Sequence, residues 1–131
     1  MDAKALNASL VALISKKEEL NKLDYNDSRY DDIEEELHDL EDDFNEEFGD
    51  YLEEVLEEVH GKINSDTDVL LPTAYLPGMM LENGSPLTDE DGVVVDSEKY
   101  PNKEARLLLM PNPARLVLYV NHKQVEEVWQ A

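Results

Sequence analysis

The sequence contains no cysteine, a single tryptophan, and only 11 lysines and arginines against 32 acids. Without cysteine there is no disulfide framework, no thiolate nucleophile and no thiolate metal site; a cytoplasmic location is the expectation. Long apolar runs are missing as well. No window approaches the roughly 18 uncharged apolar residues of a membrane helix. The start, Met1-Asp2-Ala3-Lys4-Ala5-Leu6, lacks a basic segment followed by an apolar one, so neither a span nor an export signal is expected.

The shortage of cations leaves a formal charge of -21, which repels phosphate backbones and anionic lipid surfaces alike. Nucleic acid and membrane are therefore excluded as partners, and an electrostatically steered partner should be basic. The five glycines have no phosphate-cradling spacing, and no serine lies in a G-x-S-x-G elbow. No cofactor is expected, and the chain reads as non-enzymatic.

What remains is an ordered apolar pattern on an acidic background. The 131 residues form one expected domain, 1–131, with a composition shift near Asn64 separating a helical subregion, 1–64, from a β-rich one, 65–131. The first holds 21 acids and 6 bases, the second 11 and 5. Leu6, Leu10, Leu13, Lys17 and Leu20 repeat at helical spacing and predict a helix from about Ala3 to Leu23. Ser28-Arg29-Tyr30-Asp31 reads as a capping box opening a second helix. There Tyr30, Ile33, Leu37, Leu40 and Phe44 keep a heptad, broken by the four-residue step to Phe48. Beyond it the stripe widens to Tyr51, Leu52, Val55, Leu56, Val59 and Ile63, with Gly61 as the expected stop.

At about 1.5 Å per residue the first helix is on the order of 30 Å long and the second roughly 50 Å. An antiparallel, coiled-coil-like hairpin thus leaves the far half of the second helix to pack elsewhere. Val93–Val95, Arg106–Met110, Arg115–Val120 and Lys123–Trp129 read as strands of an antiparallel meander, with turns at Pro111-Asn112-Pro113-Ala114 and Asn121-His122. The expected fold class is therefore α+β, an N-terminal antiparallel helical hairpin with a long second helix, packed on a small C-terminal antiparallel β-meander. Leu107–Met110 and Leu116–Val120 are apolar at consecutive positions, so both sheet faces should be covered.

Two patterns suggest metal chemistry. Glu35-x-x-His38 and Glu57-x-x-His60 each place a carboxylate and an imidazole on one helical face, the spacing used in di-iron bundles. Both copies lie on one helix, about 33 Å apart, and meet only in an antiparallel homodimer. Otherwise the histidines are read as solvated. The loop around Asp89, Asp91, Gly92 and Glu98 matches part of a calcium loop, but Leu87 stands at its first ligand position. Neither supplies a complete site.

Surplus apolar surface at Tyr51, Leu52, Val55, Leu56, Val59, Met79 and Met80 predicts an interaction surface, and with it a protein-interaction or assembly module that self-associates, most simply as a homodimer. The alternatives are an acidic decoy for a basic protein partner and a metal-dependent role for the Glu/His pairs.

Overall fold

The computed structural model describes residues 2–65, 67–77, 91–121 and 123–131. Asp2 opens the first helix by accepting the amides of Lys4 and Ala5 on its carboxylate, satisfying two of the donors that a helix start leaves bare. This helix, α1, runs Ala3–Asn21 and buries Leu6, Leu10, Leu13 and Ile14.

The second helix, α2, runs Tyr30–Lys62. Its start differs from the capping box expected at Ser28. Arg29 is the N-cap and has no side-chain cap bond. Asp27 organises the turn instead, accepting the Arg29 amide at 2.8 Å and gripping the same residue's guanidinium through both carboxylate oxygens. A carboxylate two residues before an amide is the Asx-turn arrangement, and it competes directly with a Ser cap.

The helix also outruns the stop expected at Gly61. Asn64, at φ 54, takes the left-handed position. The Ser65 amide donates to the His60 carbonyl and the Asn64 amide to the Gly61 carbonyl. These are the two bonds of a Schellman motif, with asparagine where glycine is commoner.

Ten acid pairs stand at i,i+4 between Asp31 and Glu58, and at a few tenths of a kcal/mol each they cost roughly 2–5 kcal/mol. Against this, Leu37, Phe44, Phe48, Leu52, Val55, Leu56 and Val59 are buried, and such side chains contribute about 1.5–3 kcal/mol apiece. Packing wins by a wide margin. α2 persists because of its apolar stripe and in spite of its acidic back.

A short 3-10 turn at Pro72–Tyr75 follows, and four strands complete the described fold: β1 (Val93–Val95), β2 (Ala105–Met110), β3 (Arg115–Val120) and β4 (Lys123–Gln130). They form one antiparallel sheet in the order β1-β2-β3-β4, the expected meander. Eight residues of β4 oppose six of β3, and positions 125 and 128 fall out of register as bulges. The second bulge lets the adjacent Val128 and Trp129 both pack on the core. Gly92, at φ 82 just before β1, lies so close to β2 that a Cβ there would stand 2.6 Å from the Leu107 carbonyl oxygen.

One hydrophobic cluster joins α1 and α2 to Leu107, Leu109, Leu116 and Leu118 on one sheet face. On the other, Leu108, Met110 and Val117 form a second buried cluster with Tyr119 against it, so both faces are covered, as the consecutive apolar runs predicted. Helix and sheet are also pinned by polar contacts. Asn7 on α1 donates to the Asn112 side chain and accepts the Asn112 amide at 2.7 Å in the β2–β3 turn. The Ser97 hydroxyl donates to the Ile63 carbonyl at the end of α2.

Candidate functional site

His60 occupies the last turn of α2, at the point where the chain turns back toward the 3-10 segment. It is 4% exposed, which corrects the reading of this histidine as solvated, whereas His38 is exposed and His122 lies outside the described residues. The a/d stripe widens at this end, and Val59 and His60 are both turned inward. Nδ1 lies 3.0 Å from the Thr67 carbonyl oxygen and Nε2 lies 3.1 Å from the Tyr75 hydroxyl. A carbonyl only accepts, so Nδ1 carries the proton; Nε2 then accepts from Tyr75. The Tyr75 oxygen in turn accepts the Leu70 amide at 3.1 Å.

Every member of this clasp is satisfied only while His60 is neutral. Burial pushes the imidazole pKa below its ordinary value, with the Thr67 carbonyl opposing. Burial likewise raises the Tyr75 phenol, with the Leu70 amide opposing. The clasp therefore fastens the segment from Thr67 to Tyr75 to the end of α2 as a neutral, low-dielectric unit.

The fastened segment forms one wall of a groove of about 410 Å³, made by Val69, Leu70, Leu71 and Pro72; Asn45, Gly49, Asp50 and Glu53 of α2 make the other. Leu70 and Leu71 are 47% and 66% exposed, although the Leu70 backbone is held by Tyr75. The acids Asp50 and Glu53 are exposed. Two apolar side chains on a fixed backbone thus face a carboxylate rim across a glycine. Nothing in the sequence marked this groove, because it depends on the return path of the chain after α2. The glycine inside a helical pattern was its one trace.

The residues singled out from sequence are distributed differently. Glu35, His38 and Glu57 lie on the exposed side of α2. Both ring nitrogens of His60 are engaged in the clasp, so it does not present a ligand to its neighbour Glu57. Among the described residues, no three His, Asp or Glu side chains gather in a way that holds a metal ion.

Asp89 lies outside the described residues. Asp91 and Glu98 flank β1, and turns leading into β2 follow Glu98 where an EF-hand has its exit helix. Of the expected interaction surface, Leu52, Val55, Leu56 and Val59 are 1–7% exposed and belong to the core; α2 spends its widened stripe on the sheet and the returning chain. Tyr51 stays at the surface at 38% exposure, with its ring 6.3 Å from that of Trp129. Met79 and Met80 lie outside the described residues. No helix among the described residues is long and apolar enough to cross a membrane.

A scan against protein-family models and searches of curated proteins and of solved structures return no match for this chain.

Proposed function

We propose that this chain is a non-enzymatic protein-interaction module of the cytoplasm, engaging a basic protein partner through the acidic outer face of α2. The observation that carries the reading is the division of labour along this helix. Its apolar stripe is consumed inside the chain, while 17 acids and one base occupy residues 27–58. A face of that kind concentrates cationic partners and discourages phosphate-bearing ones. It also favours a basic partner over a second copy. The apolar residues that motivated a homodimer are mostly core, and two chains of charge -21 repel each other.

Affinity capture from a cell extract at low salt tests the reading, using wild type and a variant carrying Asp50→Asn, Glu53→Gln, Glu54→Gln and Glu57→Gln. Wild type should retain basic proteins that high salt releases, and the variant should lose them. Identical retention by both proteins, or none by either, overturns the proposal. Sedimentation equilibrium on the same sample should report a monomer at micromolar concentration; a tight dimer would restore self-association as the better reading.

A further inference from the structure

Gly49 stands in the interior of α2, where glycine costs roughly 0.5–1 kcal/mol relative to alanine. The fold does not require it. Among the described residues, a Cβ at this position would meet only the Asn45 Cβ, at an ordinary 3.8 Å. Its effect is on the groove, where it leaves the helix backbone bare between Asn45 and Glu53 and opposite Leu70 and Leu71. The exposure of those leucines is not fraying, because the Leu70 amide is bound to a fully buried Tyr75.

We infer that this groove is a docking site for an apolar side chain within a basic segment of the partner protein. The anchor enters beside Gly49 and packs on Leu70 and Leu71, and flanking lysines or arginines meet Asp50 and Glu53. The choice of occupant rests on charge complementarity. Among the described residues the rim carries two carboxylates and no cation, and the rest of α2 around it is acidic. An acidic segment is repelled there and a neutral one gains no steering, while a basic one gains steering from the whole helix. The apolar anchor supplies what charge alone lacks, a desolvated contact that fixes register. This inference rests on the basic-partner reading above and adds to it a place and a recognition chemistry.

The test uses two fluorescein-labelled peptides of equal positive charge, one with a leucine pair between lysines and one with serines in place of the leucines. Binding to the full chain is followed by anisotropy, and backbone amide shifts map the contact. The leucine peptide should bind more tightly than the serine peptide and perturb Asn45, Gly49, Asp50, Glu53 and residues 69–72. Gly49→Leu fills the groove and should weaken the leucine peptide at least about tenfold, leaving the serine peptide unchanged.

Leu71→Ser, on the opposite wall and already exposed, should act in the same direction and gives an independent check should Gly49→Leu disturb the helix. If both peptides bind alike in a salt-sensitive way, and both variants leave them unchanged, the groove assignment falls and the acidic-face reading stands. If neither peptide binds at low salt, both fall.

Discussion

Replacing Tyr75 by phenylalanine isolates the clasp at the end of α2. The change keeps the buried ring and deletes one hydroxyl, so the apolar packing of a residue that is 0% exposed is almost untouched. Two groups lose a partner, the Leu70 amide and His60 Nε2. Leu70 is half exposed and its amide finds water, whereas the imidazole nitrogen is buried and does not. A buried acceptor left bare costs about 1–3 kcal/mol, and for a chain of this size each kcal/mol lowers the melting midpoint by roughly 3–5 °C.

The same geometry fixes a pH dependence. The His60 pKa is lower in the folded chain than its ordinary value, so below about pH 6.5 the unfolded chain binds a proton that the folded one refuses. The stability contributed by neutral His60 is complete above that pH. It is lost as pH falls toward the folded pKa, at up to about 1.4 kcal/mol per pH unit. The informative quantity is a difference between two chains that share every other titratable group. Urea unfolding of wild type and His60→Gln, followed by circular dichroism across this range, should give a stability gap that is flat above about pH 6.5 and shrinks below it. A gap that stays constant down to about pH 5.5, or a Tyr75→Phe cost under about 0.5 kcal/mol, would refute the assignment of a buried neutral imidazole held by Tyr75.

Gly61→Ala should stabilise the chain by about 0.5–1 kcal/mol in the same urea assay, because Gly61 sits within α2 and its added Cβ meets none of the described residues within 4 Å. Gly92→Ala should do the reverse, by about 2–4 kcal/mol, since the position combines φ 82 with a 2.6 Å approach to the Leu107 carbonyl oxygen. Asn7→Ala removes both bonds to Asn112 at an exposed site and should cost about 0.5–2 kcal/mol. Its amide exchange should quicken in the β2–β3 turn and at the start of α1 before anywhere else, and uniform protection there would contradict the tie.

The elements that follow from local pattern were legible in the sequence, and those that depend on chain return were not. The strand expected over Arg115–Val120 has those bounds, because five consecutive apolar residues, Leu116 to Val120, between two turns leave little choice. Asn121 takes the positive φ that its side chain tolerates. At the ends of α2 competing local bonds decided the outcome, with Asp27 displacing Ser28 as the organiser of the start and Asn64 displacing Gly61 at the stop. In both cases the winning residue bonds backbone groups two or three positions away, which spacing of apolar residues does not register.

His60 is the sharper lesson, because its immediate neighbours read as a solvated acidic helix: Glu57 and Glu58 precede it and Gly61 and Lys62 follow. Its burial comes from Thr67 and Tyr75, seven and fifteen residues onward, in a segment whose path no periodicity describes. The position nevertheless follows the stripe. Leu52, Leu56 and His60 stand four apart, as Val55 and Val59 do, so the imidazole falls on the apolar face by register alone. Reading it as a ligand gave weight to Glu57 at its i-3 position; reading it as a member of the stripe leads to a neutral, buried histidine in need of two partners. The groove then follows from the clasp, since the bond that completes Tyr75 also holds Leu70 and fixes the apolar wall that faces Gly49.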